Sequence, residues 1–282
     1  MIKHILVPLD GSKFTETAIE TAVNLAQNAA GNEGDTCVVE GMGLIDLDQI
    51  PSGRFADLVP RDQILRESAH FASDLSKKFQ QRAAELGLKP KQIATRQAEG
   101  SPFKEIIRES VFSDIIVMGH QCSFPPVNRD YDTMHHLYHA ASRPVVVTGK
   151  SHHPVQNVVV GMDGTASASR MLYTLLQLNP FPKARIVLTY SERERQEHSL
   201  GDFFDRIGQF MDSHGMKAAV APYGDNLEEE APEIMRREGA QMLALGAHRG
   251  PLFERLADPF NLKESFAQRL LNEIKGALFI VN

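Results

Sequence analysis

Short, nearly continuous apolar runs recur along the chain, each followed by a polar or glycine-containing break and then by apolar residues at helical spacing. Ile5–Leu9 reads as a strand, and Ala18, Ala22, Leu25, Ala26 and Ala29 then form a one-faced helical stripe. "TCVVEGMGLI" is a second strand, and "ILRESAHFASDLSKKFQQRAAELG" is a long helix closed by Gly87 as its C′ residue. "KQIATRQAEG", "PFKEIIRES", "DIIVMG", "TMHHLYHAA" and "PVVVTG" continue the alternation. The same order returns in "ARIVLTY", "LGDFFDRIGQFMDSHG", "KAAVAPYG", "LEEEAPEIMRREG", "MLALG", "SFAQRLLNEIKG" and "ALFIV".

The pattern is written twice. "KHILVPLDGS" matches "QNVVVGMDGT", "SDIIVMGHQ" matches "AQMLALGAH", and "RPVVVTG" matches "GALFIVN". Repeats of this length are whole domains, here 1–149 and 154–282, with the polar "KSHHPVQN" as linker. Apolar strands alternating with helices predict an α/β class: two tandem Rossmann-like domains, each a five-stranded parallel sheet with helices on both faces. Ligands in such folds bind beyond the carboxyl ends of the strands, where the strand order reverses. Asp10, Gly119, Asp163 and Gly246 all fall at such ends.

Composition narrows the function classes. A formal charge of −6 carries no basic excess, which argues against nucleic acid and anionic membrane as partners. No apolar run approaches the roughly 18 residues of a membrane helix, and the N-terminus lacks the apolar core of a signal peptide. Only Cys37 and Cys122 are present, too few for a disulfide framework, so a cytoplasmic location is expected.

These residues resemble the universal stress protein family in a tandem two-domain form. The resemblance spans nearly the whole chain: the Asp-Gly-Ser/Thr opening, five strands per half, the strand ending in glycine and the closing Pro-Val-Val-Val. Nucleotide-binding members carry a glycine, two residues, a second glycine, nine residues, then Gly-Ser or Gly-Thr. The glycines let the backbone approach the triphosphate, and an aspartate ends the first strand on the adenosine side. In the first half Asp10, Pro8 and Gly119 match, but the second glycine falls on Cys122 and the Gly-Ser on Asp132-Thr133. In the second half Asp163 and Gly246 match, the second glycine falls on Arg249 with Gly250 one place late, and Pro259-Phe260 stands at the hydroxyl position. Ser265 supplies a hydroxyl only after an insertion. The resemblance therefore implies a stress-response protein that senses a ligand or binds a protein partner without catalysis, its nucleotide loops degenerate. Its first alternative is an ATP- or AMP-binding signalling module or weak ATPase using Asp163, Gly246 and Arg249, with ATP disfavoured in the first half.

Each feature also has a plainer reading. Asp10 and Asp163 either bind a ribose or accept N–H bonds in a strand-to-helix turn. Gly119 and Gly246 read as tight-turn residues once their partner glycines are missing. Arg249 replaces backbone N–H groups by charge, or does not bind phosphate at all. His135 and His139 lie four apart on one helical face, the minimal geometry for a metal such as Zn²⁺, against the reading of ordinary surface histidines. A metal- or apolar-ligand-binding protein using the altered first-half loop is thus a second alternative. Cys122 is either a redox-sensitive loop thiol or inert, the second being favoured. The segment "LDQIPSGRFADLVPRDQ", with Phe55, Leu58 and Val59, is long for a βα connection and is expected to cover the strand ends near Asp10. Apolar edge strands are normally paired or covered. Val145–Val147 and Phe279–Val281 are accordingly expected to make the two halves an intramolecular pseudo-dimer, with a homodimer through other surfaces left open.

Overall fold

The computed structural model describes residues 1–29, 36–47, 61–120, 122, 124, 137, 138, 140–197, 201–247, 266–274 and 276–282. They divide into two compact units, Ile2–Thr148 and Gly149–Asn282. The first contains β1 (His4–Leu9), α1 (Thr15–Ala29), β2 (Val38–Asp46), α2 (Arg61–Glu85), β3 (Ile93–Gly100), α3 (Pro102–Ser110), β4 (Ile115–Met118) and β5 (Val145–Val147). The second contains β6 (Asn157–Gly161), α4 (Ala166–Leu178), β7 (Arg185–Thr189), α5 (Glu192–Glu197), α6 (Gly201–Ser213), β8 (Ala218–Val220), α7 (Leu227–Arg237), β9 (Met242–Gly246), α8 (Phe266–Glu273) and β10 (Ala277–Val281). No described helix is long and apolar enough to cross a membrane.

Within the first unit the strands pair in the order β3-β2-β1-β4-β5, every pair parallel. Within the second the order is β8-β7-β6-β9-β10, again all parallel. Each chain path runs outward from β1 or β6 on one side, then returns to its other side. Right-handed crossovers therefore place the helices of the outward path on one face and those of the return on the other, and the central strands are covered twice. Ile115–Met118 and Val145–Val147 are buried throughout for that reason. The reversal points lie between β1 and β4 and between β6 and β9, where the sequence pattern puts Asp10, Gly119, Asp163 and Gly246.

Two glycines decide how closely α2 sits on its sheet. A Cβ at Gly41 would lie 2.5 Å from the ring of the fully buried Phe79, and one at Gly43 would lie 3.1 Å from the Ala72 carbonyl oxygen. Gly87 ends the chain run of α2 with φ +97°, Leu88 N–H bonding the Ala83 carbonyl at 3.1 Å and Gly87 N–H that of Ala84 at 2.9 Å. This is a Schellman closure, and Gly215 and Gly239 close α6 and α7 with the same pair of bonds. The sequence pattern did not predict α5, and "KAAVAPYG" forms the three-residue β8, beyond which Tyr223 N–H still bonds the Tyr190 carbonyl at 3.0 Å.

Candidate ligand site at the strand ends

The two reversal points share one local construction. In the first unit Asp10 Oδ1 accepts the Ser12 N–H at 3.2 Å and the Thr15 hydroxyl at 2.5 Å, and Ser12 Oγ accepts the Phe14 N–H at 3.2 Å. In the second, Asp163 Oδ1 accepts the Thr165 N–H at 2.9 Å and its hydroxyl at 2.6 Å. Thr165 Oγ1 then accepts the Ala168 N–H at 3.2 Å as the N-cap of α4. Gly11 and Gly164, at φ +73° and +75°, supply the left-handed residue each turn requires. Both carboxylates thus hold a strand-to-helix turn.

Their surroundings differ. Asp10 is only 5% exposed, whereas Asp163 is exposed. Helix α2 reaches the first turn: a Cβ at Gly11 would come within 2.6 Å of the Phe71 ring and 3.2 Å of Leu75. Phe14 faces His120 with ring centroids 5.2 Å apart, and the Lys13 ammonium stands 4.9 Å from the Phe14 centroid. The first turn is roofed by apolar side chains.

Gly119 and Gly246 were expected as tight-turn residues, and the structure corrects the reason. Neither has a positive φ. What each position excludes is volume, because the start of α1 packs against Gly119 and the first turn of α4 packs against Gly246. A Cβ at Gly119 would lie 2.7 Å from Phe14 Cβ and 3.1 Å from its carbonyl oxygen; one at Gly246 would lie 2.6 Å from the Ser167 carbonyl carbon. Strand and helix approach so closely that glycine is needed there with no ligand at all.

Cys122, at the position of the family's second glycine, turns inward. It is 1% exposed, its thiol 3.9 Å from the Gly119 carbonyl, and Phe124 is 4% exposed. The exposed, redox-sensitive thiol weighed from the sequence does not occur, because the loop folds the sulfur into the unit's interior. Tyr138 is buried beside it, and burial first, then the nearby thiol, push its phenol well above the usual range.

The second unit carries features the sequence did not flag. Tyr190, just past β7, stacks on Phe204 at 3.9 Å, with the Arg195 guanidinium 5.7 Å from the Tyr190 centroid. Glu230 reaches back from α7 to accept the Gly224 N–H through both oxygens at 3.0 Å and the Asp225 N–H at 3.2 Å. "LEEEAPEI" reads as acidic residues favoured by a helix start, yet one of them caps the preceding loop instead. An isolated aromatic or acidic residue has no spacing signature, so neither feature was legible beforehand.

Arg249, Gly250, Ser265, His135 and His139 lie outside the described residues, as do Asp132-Thr133, Pro259-Phe260 and the apolar positions Phe55, Leu58 and Val59. Among the described residues, no group of three or more His, Cys, Asp or Glu side chains is placed to hold a metal ion.

No protein-family model matches the chain, and no curated protein does. Solved structures do match over its whole length. A universal stress protein from Archaeoglobus fulgidus aligns with TM-score 0.69 and 13% identity, over 99% of this chain and 98% of the other. A putative universal stress protein from Pseudomonas aeruginosa aligns with TM-score 0.56 and 11% identity, over 99% and 93%. A functionally unknown protein from the same species aligns with TM-score 0.54 and 13% identity, over 99% and 92%. The chain has the two-unit α/β fold of these proteins.

Proposed function

We propose that this chain is a tandem universal stress protein that acts in the cytoplasm as a ligand-sensing or protein-interaction molecule, with both nucleotide loops altered and no catalytic turnover. The observation that carries the reading is Cys122. A phosphate loop needs bare backbone N–H groups facing the ligand. Here the residue at the second glycine position has a side chain, and that side chain is packed inside the unit. The neighbouring Asp10 carboxylate is itself buried, and Phe71 and Leu75 stand against the adjoining Gly11, so apolar side chains line this turn. The test is to denature the purified chain and chromatograph the supernatant for adenine nucleotides. None should appear in stoichiometric amount; a molar equivalent of ATP or AMP would sink the proposal.

One observation favours a second reading, a nucleotide held by the second unit. Asp163 is exposed at its reversal point while Asp10 is buried at the other. Asp163, Gly246, Arg249, Gly250 and Ser265 would then make the site. In calorimetric titration with ATP, Asp163→Ala should abolish binding and Asp10→Ala should spare it. Equal loss in both variants would contradict the assignment to the second unit.

A further inference from the structure

The outer strands β3 and β8 are finished differently. β8 is three residues long, and so short an edge gives another chain little to pair with. β3 runs eight residues, Ile93–Gly100, in unbroken parallel register with β2 and without a proline. Among the described residues β3 pairs with no strand of its unit but β2, so its other side is an edge. Thr95, Arg96 and Gln97, at the middle of that edge, are all exposed. Alternate side chains serve opposite faces of the strand. The Thr95 hydroxyl accepts an N–H from the Gln80 amide of α2 at 3.2 Å, while Arg96 meets Glu40 at 3.3 Å and Glu109 of α3 at 3.2 Å.

Between this edge and α2 lies a hollow of about 260 Å³. Ser73, Ser76, Lys77 and Gln80 line it from the helix. Thr95 and Gln97, with Arg96 between them, line it from the strand. Hydroxyls, amides and cationic residues thus surround it, and no carboxylate does. Lys77 meets Asp74 at 3.1 Å, but its side chain is 69% exposed and Asp74 stands outside the lining, so the ammonium is free to turn inward. An open strand edge beside a polar hollow suits strand addition, in which main-chain bonds give affinity and a pocket for alternate side chains gives selectivity. We propose that β3 takes an extended segment of a partner protein as an added strand, with one acidic side chain seated in the hollow against Lys77. A carboxylate there gains charge-assisted bonds, whereas a basic side chain meets like charge. The inference gives the proposed protein-interaction role a surface and a partner chemistry, and rests on that role rather than on the state of the nucleotide loops.

The test uses the full chain and the peptide fluorescein-Thr-Val-Glu-Val-Thr-amide, followed by anisotropy and by hydrogen exchange of the β3 amides. The peptide should bind saturably and slow exchange at alternate β3 amides, those between them being already turned to β2. Proline in place of both valines keeps the carboxylate but removes the ladder, and that peptide should not bind. Lys77→Glu, at an exposed position, should weaken binding at least tenfold, and a peptide with lysine in place of its glutamate should restore it. Absence of saturable binding, or binding that the proline peptide shares, overturns the inference. Dimers that the peptide dissociates would put a second copy of this chain on the edge and overturn it as well. Adenine nucleotide released on denaturation, with β3 still protected by the peptide, would sink the altered-loop reading and leave this surface standing.

Discussion

At the scale of single residues, Gly119 and Cys37 show how packing decides what a residue type signifies. Gly119 matches a phosphate-loop glycine in the sequence, yet its structural duty is to leave space for Phe14. Overpacking a tight contact costs about 1–3 kcal/mol, so Gly119→Ala should lower the urea midpoint by a corresponding amount. A variant as stable as the parent would show that Phe14 moves away freely and that packing does not require the glycine. Cys37, which carries no signal in the sequence, is a buried thiol in the fold. It is 1% exposed, and its pKa is pushed up from 9.0 to about 12, by burial first and by Asp114 second, with Lys3 opposing. In the unfolded chain this thiol ionises near 9, while the folded chain keeps its proton until about 12. The unfolded state thus binds fewer protons in that window, so the Cys37 contribution is intact below pH 9 and is lost as pH rises toward 12. The slope from one such group is at most about 1.4 kcal/mol per pH unit. Cys37→Ala should flatten the alkaline limb of a stability-against-pH curve measured in urea; an unchanged limb would assign it to other groups.

At the scale of elements, the contact of α2 with β2 shows why a helix that was easy to find was hard to place. Its apolar stripe is legible in Ala72, Leu75, Phe79 and Ala83, all buried. Its distance from the sheet depends on Gly41 and Gly43, which read from sequence only as weak strand residues. Gly41→Ala would press a methyl against a ring that has nowhere to go, so destabilisation of about 1–3 kcal/mol is expected. Phe79→Leu alone should also destabilise, but the double variant should lose less than the sum, because the smaller side chain clears the new methyl. Additive losses in a thermal or urea double-mutant cycle would mean that the two positions do not press on each other. The same helix carries Phe71 over the Asp10 turn, so element placement reaches the candidate site directly.

At the scale of the whole molecule, charge gives the most direct prediction. With 30 basic and 36 acidic residues and a pI near 6.0, the chain has no basic excess to release counterions from a polyanion. It should pass a heparin column unretained at low salt, and retention released by added salt would reveal a basic surface that the totals conceal. The α/β class, the alternation of strands and helices within each half and the strand ends at which Asp10, Gly119, Asp163 and Gly246 fall follow from the sequence alone. They depend on the period of apolar residues, which is read locally along the chain. Asp10 and Asp163 could be placed at strand ends for the same reason. That one carboxylate is buried and the other exposed was not legible, since the two Asp-Gly-Ser/Thr turns are nearly identical as sequence. Phe71 and Leu75, some sixty residues away along the chain, stand over Gly11 in the first turn through the packing of α2. Likewise Cys122 carries no mark of its direction, and only the close approach of strand, loop and helix turns its thiol inward beside Tyr138. Local periodicity determined the frame of this protein; contacts between distant segments decided which of its two similar turns is roofed and which is open.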